Sequence, residues 1–147
     1  MAIESEITLP KTGLFVPADD LPPHDQQSWS VEAWQDRETL EVFQRLVGGY
    51  IEAVSLPEYG VTMWVNEDGI AKGLPPNRLG SFLYCTKFDG ALATLTTGSL
   101  DGFLILGDIF ITGKTDDEGE LSRLEPSDFG KIVSVLNRLG VKSLTND

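Results

Sequence analysis

The sequence predicts an α+β fold, a single domain with a mostly antiparallel sheet and two helices, near residues 37–47 and 128–139. Apolar residues at helical spacing mark the two helices, and short β-branched and aromatic runs between turn residues mark the strands. The predicted strands and helices do not alternate regularly, which disfavours a parallel βαβ sheet. A chain of 147 residues also has the length of one ordinary domain.

Residues 1–30 are predicted to form an N-terminal arm or loop with a short strand, and residues 31–147 to form the α+β domain. Four prolines interrupt the arm, and Gly13–Val16 is its short strand. The alternating pattern of Trp29–Trp34 predicts a half-buried strand.

The first helix is predicted from an apolar stripe and from signals at both of its ends. Leu40, Phe43 and Val47 recur at helical spacing, Asp36 offers an N-cap, and Gly48–Gly49 ends the helix. A strand pair follows.

Tyr50–Leu56 and Val61–Val65 are predicted strands, joined by a turn at Pro57–Gly60. Asn66–Gly69 is predicted to be a second turn, with Gly69 in a left-handed conformation that closes a hairpin.

The segment after Arg78 fits a short helix or a strand equally well, and Ala91–Leu95 is predicted to be extended. The most apolar run, Phe103–Thr112, predicts two short strands or one central strand bent at Gly107.

Asp116–Glu120 predicts an acidic turn. Ser127 is the predicted N-cap of the last helix, Asp128–Leu139, and Gly140 ends that helix.

The charge is strongly acidic, with 23 acidic and 11 basic residues and a formal net charge of −12. Such a surface repels nucleic acid and anionic lipid, so direct binding to either is not expected. It suits a partner that has a basic surface, but solubility alone also explains the charge and is the commoner reason for it.

Several features predict a cytoplasmic protein. No apolar run approaches the length of a membrane span, and the N-terminus has acids where a signal peptide has bases. The single cysteine, Cys85, excludes an internal disulfide, which fits a reducing compartment.

No catalytic site, metal site or cofactor is predicted. Gly107–Thr115 resembles a phosphate-binding loop, but one residue too many separates Gly107 from Gly113. Both acidic turns fail as calcium loops, because Trp64 or Lys114 would be the first ligand. The only histidine, His24, lies in a proline-flanked loop, where a histidine is usually exposed to solvent, and a catalytic triad would need it packed against a serine or Cys85 with an orienting carboxylate.

The best candidate binding segment is Lys72–Arg78, in which two prolines stiffen the chain before Asn77. Asn77 and Arg78 could contact a partner or a ligand. The favoured interpretation is structural: Asn77 caps the following segment, and Arg78 pairs with an acid of the Asn66–Gly69 turn. The candidate binding residues are Lys72, Asn77, Arg78, Asn66, Glu67, Asp68, Glu52 and Trp64.

Taken together, five strings resemble a family of small proteins of unknown function that are common in bacteriophages, prophages and plasmids. They are V-G-G-Y-I-E-A-V, W-V-N-E-D-G, K-G-L-P-P-N-R, L-G-D-I-F-I-T-G and D-D-E-G-E. The resemblance covers roughly residues 37–130, within which Phe82–Asp101 resembles an insertion. It implies a phage or mobile-element protein that acts in a bacterial cytoplasm, and it implies no reaction.

Two functional hypotheses follow. The first is a non-enzymatic phage accessory protein that binds a host protein through its acidic surface, for counter-defence or host takeover. The alternative is a small-molecule binder that sequesters a nucleotide immune signal with Lys72, Asn77 and Arg78. Homo-oligomerisation through an exposed strand edge is compatible with both.

Overall fold

The structure, a computed structural model, describes residues 10–18, 28–85, 105–118, 120–138 and 142–143. Over these ranges the strands are β1 (Lys11–Val16), β2 (Ser28–Trp34), β3 (Ile51–Leu56), β4 (Val61–Asn66), β5 (Ile109–Gly113) and β6 (Lys142–Ser143). The helices in the same ranges are α1 (Thr39–Val47), α2 (Arg78–Cys85) and α3 (Pro126–Arg138), and a 3₁₀ turn, Asp36–Glu38, leads into α1.

The strands form one sheet in the order β3-β4-β5-β1-β2-β6. All neighbouring pairs are antiparallel except β2 and β6, which are parallel. This arrangement confirms the predicted α+β domain with a mostly antiparallel sheet. The predicted strand of the arm is β1, which lies between β5 and β2, and the proposed boundary after residue 30 falls inside β2.

Helices cover the sheet on both faces, so two apolar clusters share it. On the first face, side chains such as Leu14, Met63 and Ile111 pack with Leu83 of α2 and Ile132 of α3. The second face is covered by α1. Strands β1 to β5 alternate their side chains between these two faces, as a sheet covered on both sides requires.

The cluster on the second face is aromatic. Phe43 of α1 packs against Trp34, Phe110 and Trp64, with ring centroids 5.1, 5.1 and 5.3 Å away. Trp64 Nε1 donates a hydrogen bond to Thr112 Oγ1 at 2.9 Å, so its polar atom is satisfied within the sheet. None of the three tryptophans is an exposed residue.

The predicted first helix is confirmed, but its start differs from the prediction. Asp36 lies inside the 3₁₀ turn, where its carboxylate pairs with Lys11 at 2.8 Å, so the proposed N-cap is wrong. The turn is closed by reciprocal bonds between Gln35 and Glu38. Gly48 ends the helix in a left-handed conformation with φ 81°, as predicted.

The last predicted helix is also confirmed as α3. It begins at Pro126, so Ser127 is inside the helix and is not its N-cap. Proline suits the first helical position because it has no amide hydrogen to lose there. The first intrahelical bond is donated by the amide of Phe129 to Glu125 O. The predicted end at Gly140 lies outside the described residues.

The ambiguous segment after Arg78 is the helix α2, which adds a third helix to the two predicted. The apolar run before β5 is bent at Gly107, with φ 93°, between an isolated bridge at Leu106 and the central strand β5. Ala91–Leu95 lies outside the described residues. Within the part of the chain that the structure describes, no helix is long and apolar enough to cross a membrane.

Candidate functional site

The candidate site lies at one end of the β3–β4 hairpin, where β3 begins and β4 ends. Glu67 donates its amide to Tyr50 O at 2.8 Å and so extends the pairing of the two strands beyond β4. We call this end the rim and define it by the side chains of Tyr50, Glu52, Glu67, Asp68, Ile70 and Lys72.

Asn66 fixes the rim to the rest of the molecule. Its side chain is buried, and its Nδ2 donates to Val47 O at 3.1 Å, in the last turn of α1. Its Oδ1 accepts from the amide of Asp68 at 2.8 Å, which forms an Asx turn. Asn66 therefore joins α1, β4 and the following loop, and its side chain positions the rim from within.

The loop after Asn66 is compact and helical in character. The amide of Lys72 donates to Asp68 O at 2.9 Å, and the amide of Leu74 to Gly69 O at 3.0 Å. Gly69 does not have a positive φ, so the predicted left-handed turn is wrong. A side chain at Gly69 would instead approach Leu106 O to 3.1 Å, which makes close packing the reason for glycine there.

The Pro-Pro corner after this loop is built into the core. Asn77 is 0% exposed, and its Nδ2 donates to Val16 O at 2.9 Å and to Gly107 O at 3.0 Å. Its Oδ1 accepts from the amide of Gly80 at 2.9 Å and so caps α2. The side chain of Asn77 thus connects β1, α2 and the segment that leads into β5.

The three residues proposed to hold a nucleotide do not converge. Lys72 is exposed on the loop, Asn77 is enclosed in the core, and Arg78 is half-buried as the first residue of α2. Trp64 packs in the aromatic cluster. The rim brings together the other candidates Glu52, Glu67, Asp68 and Lys72.

A hollow of about 210 Å³, which we call the first hollow, lies beside the rim on the first face of the sheet. Glu52 pairs across the strands with Val65, and Val54 with Met63, so Glu52 lies on this face with the core residues. The lining consists of Glu52, Val54, Val65, Asn66, Glu67, Gly69, Ile70, Tyr84, Ile105 and Leu106. The first hollow therefore combines apolar walls with two carboxylates.

A second hollow, of about 320 Å³, lies beside the rim at the end of α1. Its lining residues are Gln44, Gly49, Tyr50, Asp68 and Lys72. A Cβ atom at Gly49 would lie 2.8 Å from Lys72 Nζ, so glycine lets the lysine lie across the end of α1. A cation is favourable there because the carbonyl end of a helix is negative.

Two apolar rim residues were not predicted as site residues. Ile70 is 85% exposed and Tyr50 is 66% exposed, the highest fractions among the large hydrophobic residues of the described ranges. The signal for Ile70 was present in the sequence, because it lies between Gly69 and Ala71, directly after a turn. An isoleucine that belongs to no predicted strand or helix is not expected to be buried in the core.

The remaining motifs have structural explanations or lie outside the described residues. In the predicted acidic turn, Asp116 Oδ1 accepts from the amides of Glu118 and Glu120 at 2.9 and 2.8 Å. Among the described residues, no group of three His, Cys, Asp or Glu side chains could hold a metal ion. His24 lies outside the described residues, as does the side chain of Cys85.

Comparison with known proteins gives a family but no activity. No curated protein and no solved structure matches the chain. The model of one family, described as a domain of unknown function (DUF3846), matches residues 21–137. That match includes β2 to β5, α1, α2, all of α3 except its last residue, and the whole rim. The chain therefore belongs to the DUF3846 family.

Proposed function

We propose that this protein is a non-enzymatic binding protein whose rim engages a protein partner with a basic surface. The observation that carries the proposal is the presence of two exposed apolar side chains beside acids of the rim, Ile70 with Glu52 and Glu67 at the first hollow, and Tyr50 with Asp68 at the second. Apolar anchors surrounded by charged groups are the usual composition of a protein-binding surface.

The two apolar side chains would supply most of the affinity. Burying an exposed isoleucine removes apolar surface from water and contributes about 1.5–3 kcal/mol. Tyrosine is enriched among the residues that dominate binding energies, because its ring is rigid and its hydroxyl can bond at the interface edge.

The charges would select the partner. The rim has three acids against one lysine, and the whole chain has a net charge of −12. The rim and the net charge of the chain both repel partners with an acidic surface. Partners with a basic surface are attracted over distances of about 8–10 Å at physiological salt.

The strand beside the rim adds a backbone contact. β3 is an edge strand, and no described strand pairs with its outer side. Its outer amides and carbonyls could pair with a strand of the partner or of a second copy.

We place this activity in a bacterial cytoplasm, where the protein would serve a phage or mobile element by binding a host protein. The resemblance of the five strings to small phage and plasmid proteins supports this setting. Counter-defence and host takeover are the roles that such a binding protein would fill.

The test is amine-reactive crosslinking of the tagged full chain in the bacterium that carries its gene, followed by mass spectrometry. Lys72 belongs to the rim, whereas Lys131 lies on α3 with its side chain exposed. We expect one protein to crosslink reproducibly through Lys72 and not through Lys131, and its crosslinked region to be rich in Lys and Arg.

Matched variants make the test specific. The double variant Tyr50→Ser and Ile70→Ser should lose this crosslink, whereas Leu40→Ser, at another exposed hydrophobic residue, should keep it. Equal crosslinking through Lys131, or retention of the crosslink in the double variant, would contradict the proposed function.

A further inference from the structure

The first hollow has a chemistry that none of the sequence motifs predicted. Its walls include Val54, Val65 and Ile105, and the carboxylates of Glu52 and Glu67 lie at the same hollow. Tyr84 of α2 also contributes to the lining. A ligand that fits must have an apolar stem and a cationic end, because the site offers negatively charged hydrogen-bond acceptors beside apolar surface.

The size of the first hollow restricts the ligand further. At about 210 Å³ it exceeds the cavity of about 150 Å³ that accommodates a benzene molecule, and it is smaller than the roughly 300–1,000 Å³ of sites for drug-sized ligands. It can therefore accept one long side chain, and it is too small and too acidic for a nucleotide.

We propose that the first hollow receives an arginine side chain of the protein partner. The stem of the arginine packs against Val54 and Val65, and its guanidinium donates to the carboxylates of Glu52 and Glu67. Arginine fits better than lysine because its five donors can serve two carboxylates at once and its plane can stack on an aromatic ring such as that of Tyr84. This inference rests on the proposed function, and it names the group of the partner that the rim recognises.

The test uses a fragment of the expected partner and the intact chain. We would titrate the isotope-labelled protein with N-acetyl-arginine methylamide and follow the amide resonances by NMR. The matched probe is N-acetyl-citrulline methylamide, which has nearly the same shape and no charge. We expect the arginine probe to shift the resonances of Val54, Val65 and Leu106 and to leave that of Gln44, in the second hollow, unchanged.

Charge-neutralising variants identify the carboxylates. The double variant Glu52→Gln and Glu67→Gln should weaken binding of the arginine probe by about tenfold or more, since each charge-assisted bond is worth more than a neutral one. Glu41→Gln with Glu58→Gln makes the same change in net charge at exposed acids outside the first hollow, and this variant should bind as the natural chain does.

Three results would overturn the inference. The first is equal binding of the citrulline probe, which would mean that the positive charge of the arginine does not contribute to binding. The second is an equal loss of binding in the control double variant, which would mean that only the net charge matters. The third is continued binding of the arginine probe in the presence of the crosslinked partner, which would mean that a free cation, and not the partner's side chain, fills the hollow.

The two proposals fail in different ways. If Glu52→Gln with Glu67→Gln abolishes probe binding and leaves the Lys72 crosslink unchanged, the arginine inference is wrong and the proposed function stands. If the rim variant at Tyr50 and Ile70 keeps the crosslink, the proposed function is wrong, whatever the probe does.

Discussion

At the scale of single residues, the rim shows what the sequence could and could not indicate. The candidates Glu52, Glu67, Asp68 and Lys72 were predicted because polar residues at a turn are natural binding groups, and the fold gathers them at one end of a hairpin. The exposure of Tyr50 has no local signal in the sequence, whereas the position of Ile70 directly after a turn, outside any strand or helix pattern, did indicate its exposure.

Asn77 was both a candidate binding residue and a candidate cap, and only the tertiary structure distinguishes these roles. Its cap on Gly80 is local and could be predicted from the residues around it. Its bonds to Val16 O and Gly107 O join segments 61 and 30 residues away, and sequence spacing does not reveal them.

We expect Asn77→Ala to lower the free energy of unfolding by about 2–4 kcal/mol, because two buried carbonyls lose a donor and α2 loses its cap. Urea unfolding followed by circular dichroism measures this change. Asn137→Ala, at an exposed position of α3, is the control and should change stability by less than about 0.5 kcal/mol. A loss of similar size in both variants would contradict the role assigned to Asn77.

At the scale of secondary-structure elements, prediction succeeded where one local signal dominates. The apolar stripe and glycine stop of α1, the strand pair β3–β4 and the body of α3 all follow from residues within the element itself. The errors in the helices concern where they begin. The carboxylate of Asp36 forms an ion pair with Lys11 and does not cap α1, and α3 begins at Pro126, one residue before the predicted cap Ser127. Both depend on neighbours that compete with the local signal.

Two glycines with open space around them should respond to alanine in opposite directions. A Cβ atom at Gly48 or at Gly130 meets nothing within 4 Å, so only the backbone conformation differs between the two positions. Gly48→Ala should destabilise the protein by about 1–2 kcal/mol, because φ is 81° at that residue. Gly130→Ala, inside α3, should stabilise it by about 0.5–1 kcal/mol.

Thermal unfolding of the two alanine variants beside the natural chain is sufficient to test this pair. A change of the same sign in both variants would contradict the assigned conformation of one of them.

At the scale of the whole molecule, the fold class could be predicted but the strand order could not. The hairpin β3–β4 joins neighbours in sequence, so local patterns predict it. The pairing of β1 with β5 brings Leu14 opposite Ile111, and no local sequence pattern in either segment predicts that the two strands pair. For this reason the sequence predicted residues 1–30 as an arm outside the α+β domain, although the strand of that arm, β1, is part of the sheet.

The acidic charge should also be visible in the stability of the whole protein. With a net charge of −12, mutual repulsion of carboxylates opposes the compact state. We expect the free energy of unfolding to rise when NaCl is increased from about 0.01 to about 0.3 M, because screening shortens the reach of this repulsion. Chemical unfolding in urea, which is uncharged, measures it.

The same titration near pH 4.3, the isoelectric point calculated from the sequence, is the control, and there the salt effect should be small. Stability that falls with added salt at neutral pH would show that attractive ion pairs outweigh the repulsion.

The position of β1 in the middle of the sheet has a consequence for protein synthesis. Residues Lys11–Val16 leave the ribosome early, but their inner partner, Ile109–Gly113, is translated nearly one hundred residues later. The β1–β2 hairpin is complete only after Trp34, and at bacterial elongation speeds of about 5–20 residues per second it then waits roughly 4–16 s for Ile109–Gly113, with one side unpaired. Until then the emerging chain exposes an apolar strand edge, which is the kind of segment that chaperones bind.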